Sequence, residues 1–261
     1  MCRELIHIYG PLSIQSFGLI IAIGLLLFTW LVYHHPLRKK LLSKDQFSSV
    51  LLIGILSGII GGRLLFIAQE YSSMSSVFDI FRIWQGGFSI LGTIAGITLA
   101  LAYYLKKTKI PALPFFDLIA IYAPLFQSIS RIGCFTAGCC YGMPTSLPWG
   151  ITYSDQLCSA PTNIALHPTQ LYSSITLFFI FIFMRFVATK KLKKPGQLIT
   201  LYLALASIER FTIAFWRADR DFCQKGFLKI FSVHQWLALI LLVFAITTFV
   251  FVTFFRKPRQ T

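Results

Sequence analysis

Apolar runs of about twenty residues, separated by short polar stretches, dominate the pattern along this chain. A bilayer core needs about 20 predominantly apolar residues per helix. Seven stretches meet that need, at residues 12–33, 47–69, 87–105, 114–133, 171–189, 197–216 and 233–255. The pattern predicts an all-α polytopic membrane protein, one integral membrane domain over residues 1–261 with about seven transmembrane helices. The fourth and sixth runs are interrupted by Asp117, Arg131, Glu209 and Arg210. Gly54-xxx-Gly58 and Gly92-xxx-Gly96 are small-residue repeats suited to close helix packing. The first run has neither a basic leader nor a small-residue cleavage site, which reads as an uncleaved anchor.

Composition removes the soluble alternatives. The chain is 56% hydrophobic and 13% charged, with a mean hydropathy of +0.71, against about 25% charged for a soluble domain. Its net charge is +15, from 24 Lys and Arg against nine Asp and Glu. In a soluble protein that excess points to nucleic acid; here its placement decides. Fourteen of the basic residues follow runs one, three, five and seven, in the clusters Arg38–Lys44, Lys106–Lys109, Lys190–Lys194 and Arg256–Arg259. Six lie on the opposite side: Arg3, Arg82, Arg217, Arg220, Lys225 and Lys229. The positive-inside rule puts the N-terminus outside and the C-terminus in the cytoplasm. No nucleic-acid partner is expected. The longest connection, residues 134–170 between helices four and five, holds no Lys or Arg and is expected to face outward.

Arg63, Arg131, Arg185 and Arg210 fall within runs, where charge is costly and by default marks function. At about 1.5 Å per residue, Arg63, Arg131 and Arg210 lie roughly 20–26 Å from the inner ends of their helices. All three thus reach the outer half of the bilayer, with Arg82, Arg217 and His167 just beyond. Converging guanidiniums at headgroup depth suit a phosphate, which Arg binds through paired, charge-assisted hydrogen bonds. Snorkelling to the interface, or pairing with Glu70 and Glu209, is the alternative. Arg185 lies nearer the cytoplasmic end and reads as a snorkelling charge.

Five blocks then carry a resemblance. Gly61-Gly62-Arg63, the stretch from Phe81-Arg82 to Phe88-Ser89, and Arg131-Ile132-Gly133-Cys134-Phe135 ending at Tyr141-Gly142 are three of them. His167-Pro168-Thr169-Gln170-Leu171-Tyr172, and Arg210-Phe211 with Phe215-Trp216-Arg217, complete the set. In this order and spacing the chain resembles the bacterial prolipoprotein diacylglyceryl transferases over roughly residues 12–250. The resemblance implies an enzyme of the bacterial inner membrane. It would move the diacylglyceryl group of phosphatidylglycerol to the lipobox Cys thiol of lipoprotein precursors, releasing glycerol phosphate. It further implies catalytic roles for Arg131, Arg210 and His167, and substrate binding by Arg131, Arg63, Arg82, Arg217, Gln170 and Tyr172. No cofactor is implied. The expected partners are phosphatidylglycerol, lipoprotein precursors and the bilayer.

The chain departs from the family pattern at five places. Leu91 stands where the family has His, Cys134 for Asn, Cys139 for Glu, Ser173 for Glu and Ala214 for Glu. The arginines are kept while several polar partners are lost. Three other readings stay open: a relative that uses another acceptor, a non-catalytic lipid-binding or transport protein, and a membrane thiol oxidoreductase. Cys134, Cys139, Cys140 and Cys158 lie in or beside the outward loop, where the compartment permits a disulfide. Their spacing, C-x4-C-C-x17-C, is not a recognised zinc pattern, so a disulfide is expected among them and no metal.

Overall fold

The computed structural model describes residues 4–9, 12–69, 89–155, 158–219 and 230–255. Arg82 lies outside the described residues, as do Cys2, Glu70 and Cys223. The chain opens with a pair of strands, β1 (Glu4–Tyr9) and β2 (Leu12–Gln15). The first apolar run therefore does not start as a helix. Leu12-Ser13-Ile14-Gln15 alternates apolar and polar, the period of a strand, and α1 follows as Ser16–His34.

Next come α2 (Pro36–Leu41), α3 (Lys44–Gln69), α4 (Ile90–Lys107) and α5 (Ala112–Ala137). Two short strands, β3 (Ile151–Thr152) and β4 (Ala165–Leu166), occupy the long connection. They add β structure to a fold expected to be all helix. After them run α6 (Thr169–Phe183), a π-helical turn (Met184–Ala188), α7 (Thr189–Lys191), α8 (Gln197–Ile213) and α9 (Val233–Phe255). Each of the seven apolar runs contains a helix. Among the described residues, five helices are long and apolar enough to cross a membrane: Ser16–His34, Lys44–Gln69, Ala112–Ala137, Thr169–Lys191 and Val233–Phe255. The other two, α4 and α8, have 18 and 17 residues.

Local signals set several helix starts. Ser43 and Gln46 form a capping box at α3: Ser43 Oγ accepts from Gln46 N at 3.1 Å, and Gln46 Oε1 accepts from Ser43 N at 2.9 Å. Ser232 and Gln235 repeat the arrangement at α9.

The chain divides into two compact units, one of Met1–Ile8, Ser13–Val32 and Phe116–Thr261, the other of Tyr9–Leu12 and Tyr33–Phe115. In the second unit, α3 and α4 cross at contact distance between backbones. A Cβ added at Gly96 would lie 2.5 Å from Ser57 O, and one at Gly61 or Gly92 would collide with the other's carbonyl. Gly92-xxx-Gly96 thus packs as expected. On α3 the matching surface is Ser57-xxx-Gly61, while Gly54 faces open space. Arg38, expected simply to set topology, is buried, donating to Tyr33 O at 2.8 Å with its guanidinium 4.1 Å from the Tyr33 ring.

In the larger unit, α1 lies against α5 where both are small: Cβ atoms at Gly24 and Gly133 would meet Ile129 at 3.0 Å and Phe17 at 3.1 Å. Ser128 and Ser174 exchange side-chain hydrogen bonds to each other's carbonyls at 2.8 and 2.9 Å, joining α5 to α6. Asp117, 1% exposed within the fourth run, accepts from Gly196 N at 2.7 Å and Ile199 N at 3.0 Å. It caps the N-terminus of α8, where backbone N–H groups lack helical partners and the helix dipole favours negative charge.

Candidate functional site

The site is built around the end of α5. Gly138 takes a left-handed φ of +67°. Cys139 N then bonds Cys134 O at 3.1 Å and Gly138 N bonds Phe135 O at 3.3 Å, the paired closure of a Schellman turn. Cys140 is also left-handed, at φ +59°. The turn folds Cys139 and Cys140 back over Cys134, and the three Sγ atoms lie within 4.8 Å of one another. Cys134, Cys139, Cys140 and Cys158 are all free thiols, so the expected disulfide is not formed.

Past the turn the chain straightens into the middle of a small ladder. On one side Met143 N bonds Trp216 O at 2.8 Å and Ala218 N bonds Tyr141 O at 3.2 Å, with Gly142 opposite Arg217. On the other, Gly142 N bonds His167 O at 3.1 Å and His167 N bonds Met143 O at 3.0 Å. Three motif blocks that are far apart in sequence thereby become neighbours. Gly142 is required at their junction, because a Cβ there would lie 2.5 Å from both His167 Cβ and His167 O.

The arginines differ in their engagement. Arg217 is buried and forks onto Asp219, with Nε 2.7 Å from Oδ1 and Nη2 on Oδ2. Burial works against its charge, but the Asp219 bonds and the nearby Cys140 thiol raise its pKa above the usual arginine value. Arg131 and Arg210 are half-buried and make no hydrogen bond or close ion pair with a described residue. Arg210 lies within electrostatic range of both Arg217 and Arg131. It lines a small cleft with Ala214, Arg217, Asp219, Ser232 and His234. Arg131, Arg210 and Arg217 thus share one region, where Asp219 is the carboxylate bonded to Arg217 among the described residues and a cation-rich surface is left for an anion. Arg63 belongs to the other compact unit, where it is buried and stacks over Phe66 at 5.4 Å.

His167 Nδ1 lies 3.3 Å from the Tyr172 hydroxyl, which also accepts from Trp149 Nε1 at 2.8 Å. Gln170, 2% exposed, turns inward: Nε2 donates to Cys139 O at 2.8 Å and reaches the Tyr153 hydroxyl at 3.3 Å. Thr169 Oγ1 donates to Cys140 O at 2.8 Å. The His-Pro-Thr-Gln block therefore holds the cysteine turn in place. Burial pushes the Tyr153 hydroxyl up to about 12. Hydrogen bonds from Cys134 and Cys139, with the charges of Arg217 and Arg131, hold the Cys140 thiol far below the usual thiol range. Cys139, hydrogen-bonded to the same neighbours and buried, is pushed far above it.

Glu209 lies outside the motif blocks, and the sequence shows it only as a neighbour of Arg210. It is buried and accepts a hydrogen bond from Ser173 Oγ, within electrostatic range of Arg131, Arg210 and Arg217. Ser173 is one of the positions where the family pattern has Glu, so a carboxylate reaches that place from α8 instead. Leu91, at the place of the family His, is 56% exposed on the apolar surface and carries no proton-transfer group.

The family model described as "Prolipoprotein diacylglyceryl transferase" matches residues 3–251. A protein of Clostridium tetani named phosphatidylglycerol–prolipoprotein diacylglyceryl transferase is 34% identical over 245 residues, covering 94% of this chain and 95% of that one. The similarly named transferase 2 of Clostridium perfringens is 33% identical, covering 91% and 90%. One from Dehalococcoides mccartyi is 30% identical, covering 97% and 94%.

Proposed function

The chain belongs to the prolipoprotein diacylglyceryl transferase family, and from that premise we propose how its own residues carry the reaction. It is a transferase that moves diacylglyceryl from phosphatidylglycerol to the Cys thiol of a lipoprotein precursor. A carbon–sulfur bond forms at the glyceryl carbon and the carbon–oxygen bond to phosphate breaks. The electron pair leaves with glycerol phosphate, and the thiol proton must be removed.

The observation that supports this reading is the pair of half-buried guanidiniums, Arg131 and Arg210, with no bonded acceptor among the described residues. A phosphate diester entering between them supplies the missing anion. As the ester bond breaks, the leaving phosphate gains charge, and donors already in place stabilise it without reorganisation. Arg217 supports from its Asp219 fork. His167, one strand across Gly142 from Arg217 and held against Tyr172, is the proton acceptor this reading assigns. We also read α4 and α8 as short spans, roughly 26 Å long at 1.5 Å per residue, giving seven crossings in the inner membrane with the N-terminus outside.

Complementation tests it. The wild-type gene is expected to restore growth and lipoprotein modification to a bacterium depleted of its own transferase. Arg131→Ala and Arg210→Ala, inserted at equal levels, are expected to lose at least about a hundredfold in transfer, the scale of removing one preorganised donor. Arginine variants that rescue as well as wild type would remove the assigned site; a correctly inserted wild type that fails would remove lipoprotein transfer.

A further inference from the structure

We propose that Cys134, Cys139 and Cys140 form a three-thiolate zinc site whose open fourth position takes the acceptor thiol. The second half of this proposal rests on the transfer reaction above; the metal site itself does not.

The three Sγ atoms already lie within 4.8 Å of one another. A zinc ion bonded at about 2.3 Å to each of three sulfurs holds them about 3.8 Å apart. The cluster therefore has to contract by only about 1 Å. Sequence spacing concealed the site, because the Schellman turn and the left-handed Cys140, not a familiar ligand interval, create the convergence. The backbone of two of the three ligands is fixed from outside: Gln170 Nε2 and Thr169 Oγ1 hold the carbonyls of Cys139 and Cys140. Outer partners of that kind orient metal ligands.

Donor chemistry selects the ion. The group offers sulfur and no carboxylate, which disfavours magnesium and calcium and favours a thiophilic ion such as zinc. Three thiolates around Zn2+ leave one net negative charge, and Arg131 and Arg217 lie within electrostatic range of Cys140 to offset it. Cys158 lies beside Gly138 but outside the group of three. Zinc with three protein ligands keeps one position for a further ligand.

That open position gives the acceptor thiol a route to its reactive form. A thiol that coordinates zinc gives up its proton, so the acceptor would be presented as a thiolate beside the arginines that hold the leaving phosphate. Its S–H bond breaks, the proton passes to solvent or His167, and a Zn–S bond forms. Attack on the glyceryl carbon then exchanges that Zn–S bond for the S–C bond, and glycerol phosphate departs.

The test uses the full chain in detergent, purified with reductant and equilibrated with ZnCl2. Wild type and Cys158→Ser are expected to retain about one zinc per chain after desalting. Cys134→Ser, Cys139→Ser and Cys140→Ser each lose it, and Gln170→Ala weakens it by about tenfold. Retention no higher in wild type than in the triple serine variant overturns the site, as does a disulfide between two of the three cysteines in the membrane-extracted protein. With Co2+ as the probe, a lipobox peptide is expected to shift the visible spectrum, whereas its Cys→Ser version does not. Equal spectra, or undiminished transfer by zinc-free protein, overturn the acceptor role. Phosphatidylglycerol binding by the same samples is read separately, against phosphatidylethanolamine as control. Its failure in zinc-loaded protein counts against the transferase reading and leaves the metal site standing.

Discussion

At the scale of single residues, the positions most visible in the sequence also carry structural work. Gln170, expected among the substrate-binding residues, is buried and braces the cysteine turn. Arg217 is committed to Asp219, whereas Arg131 and Arg210 are not bonded to a described residue. The arginines themselves were legible because charge in an apolar run is conspicuous. The serine at 173 and the glutamate at 209 were not, because nothing in their sequence separation says that they meet. The cysteines carry their own prediction. Hydrogen bonds and the charges of Arg217 and Arg131 lower the Cys140 thiol, while hydrogen bonds and burial raise that of Cys139. A lowered pKa keeps the reactive thiolate present as pH falls, and a raised one withholds it as pH rises. In chelator-treated, reduced protein, iodoacetamide labelling mapped by mass spectrometry should therefore persist at Cys140 at pH 6. Cys139 should stay unlabelled at pH 9. Equal pH dependence at the two sites would contradict this electrostatic assignment.

Among the helices, hydropathy located every apolar run and misjudged several ends. Leu12 to Gln15 pairs as strand, and α5 continues to Ala137, because Gly138 rather than the end of the apolar run stops it. Two helix starts are marked in the sequence by Ser-x-x-Gln boxes, at Ser43 and Ser232. The cap on α8 could not have been read, since its carboxylate comes from Asp117, 79 residues before Gly196. Asp117→Ala should lower the stability of the detergent-solubilised protein by about 1–2 kcal/mol through loss of that cap. Thermal unfolding is the measurement, and an unchanged midpoint would dismiss the capping role. The α3–α4 crossing gives a sharper contrast. Gly92→Leu should disrupt it, at a cost of about 1–3 kcal/mol or more as backbones separate. Gly54→Leu, which meets open space, should leave the unfolding midpoint near wild type.

For the molecule as a whole, composition and charge placement gave the class and an orientation, while the chemistry depended on how distant segments meet. Most of the basic residues belong to the clusters at alternate ends of the runs, which is why a net charge of +15 need not mean a polyanionic partner. The orientation is open to direct measurement. Fusions to alkaline phosphatase after residue 155 should be active and those after residue 194 inactive, with green fluorescent protein fusions showing the reverse. Activity after residue 194 would invert the assigned topology.

The ladder around Gly142 has a consequence for synthesis. Its outer member, Trp216 to Ala218, follows α8, so the partners of Tyr141 and Met143 leave the ribosome more than seventy residues after those residues do. A nascent chain halted before α8 holds Arg131 in the membrane with neither Arg210, Arg217 nor Glu209 in place. The pocket is thus completed late in translation. Until then Arg131 lacks Glu209, the buried carboxylate that comes within electrostatic range of it in the folded chain.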